Sequence, residues 1–531
     1  MKKLVIVILL VSVGNIVFAN NLKMTTPVFT AGTNTLTFTI SWDNSWKLAT
    51  GPSNWDAVWV FVKRQTPNPS AGNPWVHAIL SSNSSDHSAT NAAGPAVTID
   101  AVADGMGVFI HRTYSGIGNV LSQNITIKLS GSNNPSITPT ANDNFQVFGI
   151  EMVYVPQGQF YIGDGRPTNT NNFNVGTSSP VLITAAIQTS GLGAASTYCS
   201  SAIYGCPNSL PGSFPLGYNG FYCMKYEITQ QQIVDFLNTL TYAQQYQKVC
   251  TAWGITNRNS LLVTGQYFDG NSYGFTIYNS VAAVPPLQPA VFTSNRPLLP
   301  EGYLTWQDLT SYLDWSGLRP MTEFEFEKAC RGTINPVPLE YPWGNTMITD
   351  PQGTFNNSGL LQSWNNQQYD SVTTMYNNQI YDGLCNSQYS AGWGWNPFRG
   401  GFAATSLTNR SQAAATYYGI MEMGGNMFEQ CVGGAGFDYS GFTNANGNAL
   451  LTNTGLANIT GWPQDGGVSS GTILRGGSGW TGGVNCCGSS FYNPQVQTSD
   501  RTYYAGTTWN ISLNANGGKT NSVGGRGVRT F

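Results

Sequence analysis

Between residues 20 and 149, apolar and polar side chains alternate in short runs. LTFTISW (36–42), AVWVFVKR (57–64), PAVTIDAV (95–102), GVFIHRT (107–113) and NITIKLSG (124–131) each read as a period-two strand, with turn-rich stretches between them. Strands at this spacing predict a β-sandwich whose core holds Trp42, Trp46, Trp55 and Trp59. A carbohydrate-binding platform is the sharper reading of those four rings. SGSNNPSITPTAND (130–143) has linker composition.

After the linker the pattern changes. EMVYVPQGQFYIGD (151–164) reads as a strand pair around a Pro-Gln-Gly turn. YEITQQQIVDFLNTL (226–240) predicts a helix opened by a capping box of Thr229 and Gln232, with Ile233, Phe236, Leu237 and Leu240 on its buried face. LTWQDLTSYLDWSG (304–317) predicts a second helix, with Leu309, Tyr312, Leu313 and Ser316 on one side and Gly317 as its stop. MTEFEFEKACRG (321–332) opens a third on a capping box of Thr322 and Glu325. Arg319, Glu323, Glu327 and Arg331 form a charge cluster around this third helix, read as buried structural ion pairs. Arg475, Arg526 and Arg529 are read in the same way, as locks on the last strands.

Composition changes what the chain is expected to touch. Charged residues are 9% of the 531, and the formal net charge is −3. Soluble proteins average about 25% charged, so the field here is weak and no basic stripe points to nucleic acid. The opening MKKLVIVILLVSVGNIVFAN reads as a secretory leader over 1–19, with Lys2 and Lys3 ahead of the apolar run. No later stretch qualifies as a transmembrane anchor. The mature protein is therefore expected to be exported, to the cell surface, the extracellular space or the periplasm. Export permits disulfides, but nine cysteines is an odd number, so at least one stays free or pairs elsewhere.

Two places carry candidate chemistry. ILRGGSGWTGGVNCCGSS (473–490) holds adjacent Cys486 and Cys487 in a glycine-rich stretch, readable as a redox or metal centre or as inert thiols. GIMEMGGNMFEQ (419–430) brings Glu422 and Glu429 close together in a charge-poor chain, with glycines that let the backbone curl. The three histidines, His77, His87 and His111, lack metal-ligand spacing and all lie in the β-rich region. No glycine run sits in the strand–loop–helix setting of a phosphate loop.

These segments, in this order, resemble the formylglycine-generating enzyme (sulfatase-modifying factor) family. The motifs are 152–163, 226–238, 305–332, YPWGN (341–345), GIMEMGGNMFEQ, LRGGSGW (474–480) and GGRGVRTF (524–531), collinear over 150–531. A looser likeness is to exported Bacteroidota relatives of gliding-motility lipoproteins. The resemblance implies an α+β architecture. A β-sandwich (20–149) would precede a C-type-lectin-type domain (150–531) of low regular secondary structure, enlarged by long neutral insertions at 161–217, 353–415 and 432–470.

The same resemblance implies chemistry. Family enzymes oxidise a cysteine of a sulfatase, using two cysteines that hold Cu+ just after the RGGS-like motif. Counted without gaps from Ser478, those two positions fall on Thr481 and Cys486. A hydroxyl cannot replace a thiolate on Cu+. For Ca2+, the resemblance implies oxygens of Glu422 and Glu429 with the carbonyls of Gly425 and Met427, and a second ion at Asn357 and Ser358.

The expected function is thus an exported binding or assembly protein on a catalytically degenerate member of this fold. Its partner would be a protein or glycan at the cell surface, or further copies of itself. The alternative is a divergent copper-dependent oxidase using Cys486 and Cys487.

Overall fold

A computed structural model describes residues 21–65, 75–91, 94–131, 140, 142–166, 172–173, 179–187, 210–248, 261–264, 289–349, 382–383, 385, 397–405, 407–433, 441–465, 471–478, 494–501 and 522–531. The leader, Asn357, Ser358, Thr481, Cys486 and Cys487 lie outside these residues.

Strands dominate. The first ten are β1 (Lys23–Met24), β2 (Val28–Thr30), β3 (Thr35–Lys47), β4 (Asp56–Gln65), β5 (Val76–His77), β6 (Ser88–Asn91), β7 (Val97–Ala101), β8 (Val108–Arg112), β9 (Gly116–Lys128) and β10 (Asn144–Val155). Then follow β11 (Phe160–Ile162), β12 (Val181–Ile183), β13 (Phe221–Met224), α1 (Gln230–Leu237), α2 (Tyr242–Lys248), β14 (Leu261–Thr264), β15 (Val291–Ser294), α3 (Trp306–Trp315), β16 (Arg319–Pro320) and α4 (Glu323–Arg331). The last are β17 (Glu429–Val432), β18 (Thr472–Arg475) and β19 (Gly527–Thr530).

One sheet runs β1-β3-β9-β6, with β2 also on β3. The other has eight strands, β16-β19-β13-β10-β4-β8-β7, with β5 on β4. In β3 the alternation predicted from sequence holds: Leu36, Phe38, Ile40 and Trp42 are buried and their neighbours less so. They meet Val58, Val60 and Val62 of β4 and Ile110 of β8 in one apolar cluster between the two sheets.

Strand β4 departs from the one-faced pattern. Its other face carries Ala57, Trp59 and Phe61, which belong to a second cluster with α1 and α3. Phe61 meets Trp315 edge-on at 5.0 Å, and the Trp59 indole donates to the Ser316 carbonyl at 2.8 Å. AVWVFV is nearly continuous in apolar character because both faces are covered. Of the four tryptophans assigned to the inter-sheet core, only Trp42 sits there. Trp59 faces the helices, Trp55 stacks on Tyr154 at 4.2 Å, and Trp46 packs beside Tyr417 and Tyr418.

Strand β10 runs across the predicted boundary at residue 149. It pairs with β4 from Asn144 to Val153 and with β13 from Met152 to Val155. The eight-stranded sheet is therefore shared by the N-terminal and C-terminal regions. The strand pair predicted around Pro-Gln-Gly does not form: β11 pairs with β12 instead. Strand β10 already has a neighbour on each side, so it offers β11 no free edge.

The three predicted helices form, shorter than their sequence patterns. Capping boxes at Thr229/Gln232 and Thr322/Glu325 are both made. Helix α3 has a further box of Thr305 with Asp308 and is buried nearly all round. Among the described residues no helix is long and apolar enough to cross a membrane.

Candidate functional site

Helix α4 is the hub of a buried ionic network. Glu323 accepts from Arg475 at 3.0 Å and from Arg501 at 2.6 Å. Glu327 accepts from Arg475 at 2.8 Å, Arg331 at 3.2 Å, the Gly163 amide at 2.7 Å and the Ser499 hydroxyl at 3.0 Å. Arg331 also holds Glu340. Burial alone would raise the Glu327 carboxyl, but Arg475 and Arg331 bring it below the usual range. Position along the chain groups Arg319 with this cluster, yet in the structure it pairs with Glu325, at 2.5 and 2.9 Å. As the capping residue, Glu325 turns back toward Thr322 and so meets Arg319 just ahead of the helix. Arg501 and Glu340 also belong to the network, although nothing local in the sequence ties them to α4.

This network also fixes what flanks the cysteine-bearing segment. Arg475 donates to the Thr498 carbonyl at 2.7 Å, so the residues before 479 and after 493 are held together. Gly476 and Gly477 take positive φ, 82° and 69°, which lets the chain turn away from β18.

The loop 419–430 forms the second candidate. Glu422, Gly425 and Asn426 have φ of 52°, 78° and 64°, so the backbone curls tightly, as the sequence suggested. Glu422 accepts from the Gly401 amide at 2.7 Å through Oε1, and its carbonyl accepts from Arg526 at 3.1 Å. Glu429 accepts from Arg526 at 2.6 Å. Glu227, far from this loop along the chain, accepts from the Asn426 side chain at 2.6 Å and the Met427 amide at 2.8 Å. Oε2 of Glu422 and Oε2 of Glu429 are buried without a hydrogen-bond partner. Burial pushes the Glu422 carboxyl up to about 7, and burial with neighbouring Glu429 raises Glu227. Carboxylate charge crowded around Arg526, with two orphaned oxygens and a curled backbone, suits a hard cation. Among the described residues no three His, Cys, Asp or Glu side chains converge as a ligand set, so backbone carbonyls would have to complete any such site.

Arg526 and Arg529 serve as the predicted locks. Arg526 ties β19 to Glu429, and Arg529 forks onto Asp104 at 2.6 and 2.7 Å while lying over the Trp59 ring. Cys223, Cys330 and Cys431 are buried free thiols, and burial raises all three well above the usual thiol range. Such protonated thiols are poor Cu+ ligands. The histidines are held by the surrounding structure: His77 to the Met106 carbonyl, His87 to that of Ser81, and His111 to Asp100.

Residues 140–504 match the family described as the sulfatase-modifying factor enzyme 1-like domain. Three curated formylglycine-generating enzymes are similar over shorter stretches. That of Mus musculus is 27% identical over 150 residues, covering 25% of this chain and 36% of the mouse protein. That of Bos taurus is 26% identical over 147 residues, with the same coverages of 25% and 36%. That of Thermomonospora curvata is 37% identical over 68 residues, 13% of this chain and 21% of the relative. The matched stretches thus span about a third or less of those relatives' lengths.

Proposed function

From the membership of this chain in the sulfatase-modifying factor enzyme 1-like family, we propose that it is an exported binding or assembly protein that keeps the family scaffold without its oxidase chemistry. The architecture that goes with this reading is a β-sandwich leading into a C-type-lectin-type domain. The partner is a protein or a glycan at the cell surface, or further copies of the chain. Loops rich in Asn, Gly, Tyr and Trp suit such contacts, because stacking and neutral hydrogen bonds are insensitive to salt.

The observation that carries this reading is the hydroxyl of Thr481 at the ungapped position of the first copper ligand. Oxygen of that kind does not hold Cu+, and Cys487 next to Cys486 has the wrong spacing to replace it. The second reading, a divergent oxidase built on Cys486 and Cys487, draws support from the tie between Arg475 and Thr498. It brings together the flanks of the segment bearing them.

Ca2+ is proposed as a scaffold ion, held by the carboxylates of Glu422 and Glu429 with the carbonyls of Gly425 and Met427. The two orphaned carboxylate oxygens support it. A second Ca2+ is proposed at Asn357 and Ser358 on the family resemblance alone.

Anaerobic titration with Cu+, followed by incubation with a cysteine-containing sulfatase peptide in aerated buffer, where dioxygen is the oxidant and an added thiol the reductant, separates the readings. The binding protein leaves the peptide thiol intact and takes up no stoichiometric copper through Cys486. Stoichiometric uptake with peptide oxidation, both abolished by Cys486→Ser, would establish the oxidase instead.

A further inference from the structure

Lys225 directly follows β13, and its amide donates to the Glu151 carbonyl of β10 at 2.9 Å. Its side chain is buried with two carboxyls, Glu151 from β10 and Asp56 from β4. Nζ lies 3.1 Å from Glu151 Oε2 and 3.5 Å from Asp56 Oδ2. The Asn44 carbonyl is at 3.4 Å, and the ring centres of Trp46 and Tyr226 are 5.0 and 5.4 Å away. Lys225, Asp56 and Glu151 are 2%, 0% and 5% exposed, so bulk water is kept out.

The two carboxyls are held differently. Asp56 Oδ1 accepts from the Ser45 hydroxyl at 2.7 Å and the Trp46 amide at 2.9 Å, and Oδ2 accepts from the Trp42 indole at 3.0 Å. Glu151 accepts from Lys225 through Oε2, while its Oε1 is buried without a hydrogen-bond partner. Burial pushes the Glu151 carboxyl up to about 7, against the pull of Lys225. That range suits a group that takes up a proton and returns it. Burial also works against the Lys225 charge, but Tyr226, Glu151 and Asp56 outweigh it and raise the group. One ammonium thus stands between two acids in a dry interior, where charges are costly to keep.

Two donors fixed on one oxygen of Asp56 make the pattern that stabilises an oxyanion. An amine held against the same carboxyl turns a bimolecular condensation into an intramolecular one. We propose that Lys225 and Asp56 condense into an intramolecular amide, with Glu151 as the proton carrier. A proton moves from Nζ through Glu151 to Oδ2, leaving a neutral amine beside a carboxylic acid. Nζ then attacks Cγ, and the charge developing on Oδ1 is met by the Ser45 hydroxyl and the Trp46 amide. The Nζ–Cγ bond forms, the Cγ–Oδ2 bond breaks, and a second proton from Nζ leaves with Oδ2 as water. Ammonium and carboxylate become amide and water, so the step needs no oxidant or other co-reactant. The product removes a buried charge pair and staples β4 to the chain after β13, across β10. The bond goes beyond the binding role proposed above and is independent of whether copper chemistry is present.

Peptide mapping of the purified full chain by tandem mass spectrometry, after denaturation and thiol reduction, tests it. The expected product is a branched peptide joining Asp56 to Lys225, lighter than its two arms together by about 18 Da, one water. Glu151→Gln keeps the shape but cannot carry the proton, and is expected to leave Asp56 and Lys225 unlinked while the chain keeps its native circular-dichroism spectrum. If that variant fails to fold, the map of the unsubstituted chain carries the test. Separate, unlinked peptides from the folded unsubstituted chain would overturn the proposal. So would a bond from Lys225 to Glu151 in place of Asp56, or full linkage in folded Glu151→Gln.

Discussion

Glu327→Gln is the sharpest probe of the α4 network. The substitution keeps shape and removes one charge from a fully buried carboxylate that faces Arg475 and Arg331. Breaking a buried ion pair costs about 3–5 kcal/mol, because an uncompensated charge is left behind. Each arginine here keeps a second acid, Glu323 for Arg475 and Glu340 for Arg331, so the low end, about 3 kcal/mol, is expected. With about 2.1 cal/mol/K of unfolding entropy per residue, a unit of this size shifts by roughly 1 °C per kcal/mol, so the apparent Tm at pH 7 should fall by about 3 °C. The sign with pH follows from the depressed folded-state carboxyl. Its contribution is complete above the unfolded value near 4.3 and is lost as pH falls through the lower folded value. Denaturant melts of both proteins should therefore differ fully at pH 7, begin to approach each other only below the unfolded value near 4.3, and converge as pH falls past the lower folded value. Hydrogen exchange should also quicken in β18, where Arg475 is anchored. A difference under about 1 kcal/mol at pH 7, or one that persists undiminished into acid, would refute the assignment of Glu327 as the ionised centre of the network.

Calcium removal should be visible in a melt as well. If the ion sits at Glu422 and Glu429, a free concentration of a hundred times Kd contributes about 2.7 kcal/mol. A chelator should lower Tm accordingly, and Glu429→Gln should abolish the chelator effect. A chelator response unchanged in that variant would move the ion elsewhere. Gly332 caps α4 at φ 68° and ψ −141°, and a Cβ there would enter the Tyr417 ring. Gly332→Ala should cost about 2 kcal/mol or more, from strain and steric overlap together, measured by the shift in denaturation midpoint. A shift within error would show that the turn relaxes freely.

Short-range physics was legible in the chain. The capping boxes at Thr229 and Thr322, the inward alternation of β3 and the curl of the Glu422–Asn426 backbone depend on neighbours within a few residues. Partner identity was not. Arg319 was grouped with Glu323 on proximity along the chain, but the capping geometry turns Glu325 to it instead. Glu227 joined the 419–430 loop from nearly two hundred positions away, with no spacing to announce it.

By itself, the sequence determined the grammar of the elements and the family to which residues 140–504 belong, because hydrophobic period, caps and glycine turns are local properties. Only the tertiary structure decided that β4 is covered on both faces, that β10 carries one sheet across both regions, and that Arg475 gathers two acids from α4. Those outcomes depend on which distant surfaces exclude water together. A buried charge takes whichever opposite charge the packed chain delivers to it, at any separation along the sequence.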